Sequence, residues 1–206
     1  MAVGPKQVYA IVLAAGISSR MGSPKQLLPF GEKTILQSVV DVLLSADLDG
    51  IVVVLGHRAE AVRESLAGRN VPFSLNSDYP KGMLSSVRSG ISALPGSADA
   101  ALIALADQPQ IEAGVVSRVV SAYREGEKGI VIPTYRGRRG HPALLDLNRY
   151  RKEIAALSED QGLKPVMRGH PEDTLELPEE DAGILRDLDT PEEYQAELER
   201  RQRKGS

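Results

Sequence analysis

The chain contains no cysteine. Disulfides and thiolate metal sites are therefore excluded. It contains only three histidines (His57, His141 and His170), and none are spaced i, i+4, so a zinc site is not expected. Positive charge is not in excess: 25 Lys and Arg against 28 Asp and Glu give a net charge of −3. A nucleic-acid partner is not expected from such a balance. No apolar run is long enough to span a bilayer, and the start MAVGPKQVYAIVLAAG lacks the pattern of a signal peptide. No membrane association and a cytoplasmic location are the expectations. Two well-known phosphate motifs are also missing. Without G-x-x-x-x-G-K-[ST] a P-loop NTPase is disfavoured, and without G-x-G-x-x-G after the first strand so is a dinucleotide-binding dehydrogenase.

What remains is an ordinary globular composition over 206 residues, 42% hydrophobic and 26% charged, enough for one domain (1–206) with a substantial core. Its N-terminal half is expected to bind nucleotide and its C-terminal half an acceptor. Strand-like apolar runs alternate with helical patterns. Val8–Leu13, Ile51–Leu55, Val71–Leu75, Ala100–Leu105, Ile130–Ile132, Pro142–Leu145 and Ile184–Leu188 read as strands. Thr34 is placed to cap a helix carrying Ile35, Val39, Val42 and Leu43 on one face. Further helices are expected over Arg58–Ala67, Met83–Leu94, Glu112–Arg124, Arg151–Leu157 and Gly162–Met167, with a last one opened by Pro191. The alternation predicts an α/β fold: a mostly parallel sheet between two helical layers, Rossmann-like. Ligands of such sheets lie outside the carboxyl ends of the strands.

The loop Leu13–Lys25 follows the first strand and so falls at that edge. Leu13, Ala14, Ala15 and Gly16 let a nucleotide approach the backbone, and Arg20 and Lys25 add a guanidinium and an ammonium suited to phosphates. Asp107, just past Ala100–Leu105, and Asp187 and Asp189, at the end of the last expected strand, bring carboxylates to the same edge, where a hard cation such as Mg²⁺ would bind. Asp189 or Thr190 also suits the N-cap of the terminal helix. Asn76 and the helix start Gly82-Met83-Leu84-Ser85-Ser86 offer hydroxyls and free backbone donors. Charge is uneven along the chain. Arg136, Arg138, Arg139, Arg149, Arg151 and Lys152 make one stretch basic, whereas Glu172 to Glu199 is acidic with Arg186 its one cation. Two solvated faces account for this, and so does a basic face turned toward an anionic substrate.

The string Leu-Ala-Ala-Gly-x-Ser-x-Arg-Met-Gly-x-x-Lys resembles the signature of nucleotidyltransferases with a glycosyltransferase-A-like fold. Within them the chain is similar to the molybdenum cofactor cytidylyltransferases. The likeness continues through Lys25-Gln26-Leu27-Leu28-Pro29-Phe30, Asn76 to Gly90, Ala106-Asp107-Gln108-Pro109, Gly140-His141-Pro142 and Asp187-Leu188-Asp189-Thr190-Pro191-Glu192. It departs at Ser158-Glu159-Asp160-Gln161-Gly162, where the family usually has Gly-Asp-x-Gly.

The resemblance implies transfer of CMP from CTP to molybdopterin carrying molybdenum, with pyrophosphate released and a molybdoenzyme as a possible recipient. Asp107 and Asp189 would hold Mg²⁺. Arg20, Lys25 and Asp107 would act in catalysis. Asn76, Gly82, Ser85 and Ser86 would join the glycine-rich loop in binding the nucleotide, and Gly140, His141 and Pro142 would meet the acceptor. A guanylyl or other nucleotidyl donor, a different phosphorylated acceptor, or a non-catalytic carrier of the cofactor are the alternatives.

Overall fold

The computed structural model describes residues 4–18, 21 and 24–204. The first strand, β1 (Val8–Ala14), is followed by the short hairpin β2 (Pro29–Phe30) and β3 (Lys33–Thr34). Then come α1 (Ile35–Leu44), β4 (Gly50–Leu55), α2 (Ala59–Ser65), β5 (Phe73–Leu75), α3 (Met83–Ala93), β6 (Ala100–Leu105) and α4 (Ala113–Glu125). The second half holds β7 (Ile130–Tyr135), β8 (Arg138–Arg139), β9 (Ala143–Asp146), α5 (Leu147–Ala156), α6 (Lys164–Gly169), β10 (Thr174–Pro178) and α7 (Pro191–Lys204).

The main sheet runs β10-β7-β9-β6-β1-β4-β5, with β8 added to β7. All its pairings are parallel except those of β9 with β6 and β7 and of β8 with β7. This is the mixed, mostly parallel α/β sheet that the alternation predicts. Strand periodicity decides which helix covers which face. Val8, Ala10, Val12 and Ala14 of β1 share one core with α1, α2 and α4. Ile11 of β1 and Val52 and Val54 of β4 share the other with α3, α5 and Val166 of α6. Gly90 lets α3 lie on β1: a Cβ there would stand 2.3 Å from Ile11 Cγ2. Among the described residues no helix is long and apolar enough to cross a membrane.

Thr34 caps α1 as expected, and does so in a capping box with Gln37. Helix α5 starts four residues before the expected Arg151, because the Asp146 carboxylate accepts from the Arg149 amide at 3.0 Å. One expected strand is overturned. Ile184–Leu188 joins no ladder; Ala182–Leu185 is a 3-10 turn capped by Asp181, whose carboxylate accepts from the Gly183 amide at 2.7 Å. Ile184 and Leu188 are buried all the same, so their apolar character reports packing rather than pairing. The strand in this part of the chain is β10, beside β7. Its Thr-Leu-Glu-Leu sequence alternates, and Leu175 and Leu177 pack on the core. That signal lay inside the acidic stretch.

Candidate active site

The chain leaves β1 toward β4 on one side, while β6 pairs with β1 on the other. This is the switch point at which open α/β sheets place ligands. A cleft of about 350 Å³ opens there, walled by Leu13, Ala14, Ala15, Gly16, Lys25 and Asp107 on one side and by Gly82, Met83 and Ser86 on the other. A larger hollow of about 460 Å³ lies between α4 and residues 178–184. Glu112, Glu179, Glu180 and Asp181 outnumber the one lining cation, Arg118, which is itself paired with Glu179, so the hollow repels phosphate. The switch point therefore outweighs volume.

Ala14 and Ala15 are buried at the root of the loop, and Gly16 and Ile17 are exposed beyond them. Ser18 turns the chain with a left-handed φ of 56°. Its hydroxyl accepts from the Lys25 amide at 3.2 Å and donates to Gln26 at 3.3 Å. The Gln26 side chain, almost fully buried, donates to the Ala14 carbonyl at 3.3 Å. Gln26 thus clasps the returning loop to the end of β1 and aims Lys25 across the cleft. Its sole sequence signal is its place beside Lys25. Arg20 lies outside the described residues.

Lys25 meets both predicted metal-binding acids. Its Nζ donates to Asp107 Oδ2, and to Asp189 Oδ1 at 2.6 Å. All three side chains are largely buried. Burial pulls the Lys25 pKa down, but the charges and hydrogen bonds of Asp107 and Asp189 outweigh it and hold the ammonium above the ordinary lysine value. Asp189 reaches this point because α7 docks on the β2–β3 hairpin: Leu188 packs with Phe30 and Ile35, and Tyr194 donates to the Pro29 carbonyl at 2.6 Å. Thr190, not Asp189, supplies the N-cap of α7, in a reciprocal pair with Glu193. The Asp189 carboxylate is thereby left for the cleft.

Asp187 does not share the contact with Lys25. With no strand there, it shares no strand face with Asp189. It accepts instead from Gln108 Nε2 at 2.7 Å, and Gln108 is itself buried. Asp187 is exposed as a residue, but partial burial of its carboxyl and the neighbouring Asp107 raise its pKa against the opposing Gln108 bond. Gln108 was named only as part of a motif; its tie to a carboxylate 79 positions away has no local signature. His141 lies close enough to feel Asp187 and Asp107, yet burial dominates and lowers its pKa, favouring the neutral ring. Its Nδ1 is buried without a hydrogen-bond partner. Gly140 and Pro142 are buried. A Cβ on Gly140 would stand 2.4 Å from the Ile184 carbonyl oxygen, so this glycine seats the strand against the 3-10 turn before Asp187.

The predicted nucleobase residues divide. Gly82 and Ser86 line the cleft. Asn76 and Ser85 turn inward: Asn76 donates to the Ser85 and Ser86 hydroxyls at 2.9 and 3.0 Å and accepts from the Asp78 amide at 2.9 Å. Ser85 donates to the Asp78 and Gly82 carbonyls at 3.0 and 2.8 Å. These two shape the turn that presents Gly82.

Small residues at the switch point, a lysine aimed across the cleft, an acid just past β6 and a second from the segment before α7 are the equipment of an enzyme that handles nucleoside triphosphates. Residues 10–175 match the MobA-like NTP transferase domain. The chain belongs to that family and is a nucleotidyltransferase. It is 30% identical over 196 residues to nicotine blue oxidoreductase of Paenarthrobacter nicotinovorans, covering 90% of this chain and 94% of that one. It is 28% identical to molybdenum cofactor cytidylyltransferase of Escherichia coli, covering 94% and 96%. The crystal structure of Rv0371c from Mycobacterium tuberculosis superposes with a TM-score of 0.85 at 29% identity, covering 96% of this chain and 100% of that one. A structure of Rv0371c complexed with manganese superposes with a TM-score of 0.81, at 28% identity and with 95% and 99% coverage.

Proposed function

We propose that this enzyme transfers CMP from CTP to the phosphate of molybdopterin, the molybdenum cofactor, in the cytoplasm, with Mg²⁺ as its metal. The observation that carries the proposal is the Lys25 bridge between Asp107 and Asp189 beside the small-residue loop. Both carboxylates reach one cation, which is the arrangement a divalent ion needs. Among the described residues no three acids or histidines converge tightly enough to enclose an ion. That suits Mg²⁺, which commonly takes one or two carboxylates and completes its shell with water and substrate phosphates. Asp107 and Asp189 would hold the ion. When bound, it supplies charge neutralisation where triphosphate and acceptor meet.

The chain's own residues do the rest. The backbone of Leu13 to Gly16 lies against the triphosphate, and Lys25, joined by Arg20, binds its oxygens. Gly82 and Ser86 border the base, while Asn76 and Ser85 fix the turn that carries them. Gly140, His141 and Pro142 form the acceptor wall, which the neutral His141, its buried Nδ1 unpartnered, helps to shape. The acceptor phosphate attacks the α-phosphorus, the bond from that phosphorus to the α,β-bridging oxygen breaks, and pyrophosphate leaves with the electron pair. No protein nucleophile is required, since the acceptor is already ionised. Positioning and fixed charge supply the rate.

The test is to incubate the enzyme with molybdenum cofactor, Mg²⁺ and either CTP or GTP, and to measure pyrophosphate. Release with CTP alone is expected. Release with GTP alone would move the donor to guanylyl, and nucleotide binding without turnover would make the protein a carrier. The relative named an oxidoreductase motivates a second reading, in which the cleft holds a redox nucleotide. Oxidation of a reduced nicotinamide nucleotide by nicotine blue, without pyrophosphate release, would establish it.

A further inference from the structure

The hairpin β7–β8 turns through two residues, Arg136 and Gly137, with φ of 50° and 74°. Both values are left-handed, the signature of a type I′ turn. Asn or Gly normally occupies its first position, and an arginine there is strained. The Arg136 guanidinium lies 5.2 Å from the ring centre of Tyr135. Of the three arginines in the hairpin, Arg139 pairs with Glu176 at 2.7 Å. Arg136 and Arg138 are exposed and, among the described residues, form no ion pair.

Their location gives these charges meaning. Strand β7 runs in the direction of β6, because both are antiparallel to β9. The hairpin therefore rises from the same sheet edge as Asp107, on the side away from β1 and β4. Its base is locked: the Gly140 amide donates to the Pro133 carbonyl at 2.8 Å, and the His141 amide to the Ile184 carbonyl at 2.9 Å. An anion approaching this side meets Asp107, Asp187 and Asp189, which repel it. Two guanidinia on an arm that rises from the same sheet edge oppose that repulsion.

We infer that Arg136 and Arg138 form an anion clamp that captures the phosphorylated acceptor on the β7–β9 side of the cleft. This deepens the proposed function and rests on it for the acceptor's identity. The left-handed backbone at Arg136 is kept because it places a guanidinium at the hairpin tip. Stability and acceptor binding are thus opposed at one position.

Arg136→Asn and Arg138→Gln test the inference. Arg136→Asn relieves the turn, and its Tm is expected to rise by about 2–4 °C. Each substitution is expected to raise KM for the acceptor about tenfold, leave KM for CTP unchanged and flatten the salt dependence of kcat/KM for the acceptor. Unchanged acceptor KM in both variants would overturn the clamp. So would unchanged KM with slower delivery to a recipient molybdoenzyme, which would make the hairpin a protein-docking surface. A titration independent of turnover separates this from the broader reading. Inorganic phosphate added to the full-length protein should shift the Nε–Hε resonances of Arg136 and Arg138 in an arginine-labelled spectrum. No shift refutes the clamp. A shift without any CTP-dependent turnover leaves the clamp standing and refutes the proposed reaction.

Discussion

Replacing Lys25 by alanine separates phosphate recognition from base recognition. Among the described residues that line the cleft Lys25 is the one cation, with 18% of its side chain exposed against 13% for Asp107 and 30% for Asp189. A charge-assisted contact from such a group to a phosphate oxygen is worth about 1.5–3 kcal/mol, or about 10- to 150-fold in Kd. Lys25→Ala should weaken CTP by that factor and cytidine hardly at all. Removing one partner of a buried ion pair costs about 3–5 kcal/mol. Partial exposure of Asp189 reduces this, so about 1–3 kcal/mol of stability should be lost. The pH dependence has a definite sign. The folded-state pKa of Lys25 is raised, so the pair's contribution is full below the ordinary lysine value near 10.4 and is lost as pH rises through the folded value. The difference in stability between wild type and variant should therefore shrink in strong alkali. Without nucleotide, the variant should bind Mn²⁺ more tightly, since its two carboxylates no longer share an ammonium. Calorimetric titration with CTP, cytidine and Mn²⁺ measures all three affinities. Equal loss for CTP and cytidine would refute phosphate contact by Lys25, and unchanged Mn²⁺ affinity would refute the shared cation position.

Asp107→Asn keeps the shape of the side chain and weakens its affinity for hard cations; kcat should fall by more than about 100-fold with an unaltered circular dichroism spectrum, and retained activity would remove Asp107 from the metal site. Asp187→Asn should raise Tm at pH 7, because burial and Asp107 raise the Asp187 pKa and its charged form opposes folding. That gain should disappear as pH falls below the ordinary aspartate value, where the wild-type group is also neutral, and thermal melts at pH 3 and pH 7 compare the two. Gly90→Ala forces a Cβ to within 2.3 Å of Ile11 Cγ2 and should cost about 1–3 kcal/mol in urea unfolding; a neutral result would mean that α3 can lift off β1 freely.

The path from sequence to site was uneven for physical reasons. Local signals were readable wherever they were periodic or capped. The β-branched run Ile51–Leu55 became β4, Thr34 capped α1, and Pro191 opened α7. Two apolar residues misled: Ile184 and Leu188 are buried like strand residues but sit in a capped turn and an unpaired segment. Asn76 and Ser85 carried the chemistry of ligand contacts, yet their polar atoms satisfy the turn before α3. Composition cannot separate a hydroxyl that meets a base from one that meets a carbonyl.

The sequence by itself determined the α/β alternation, the small-residue loop after β1 and the acid Asp107 just past β6, because each depends on residues close together along the chain. Only the tertiary structure decided which acids meet. Asp189 lies 164 positions from Lys25, and their 2.6 Å contact exists because Leu188 and Tyr194 dock α7 on the β2–β3 hairpin. Asp187, two residues earlier, is drawn to Gln108 instead. Pairing across such separations is set by packing, which no local pattern encodes.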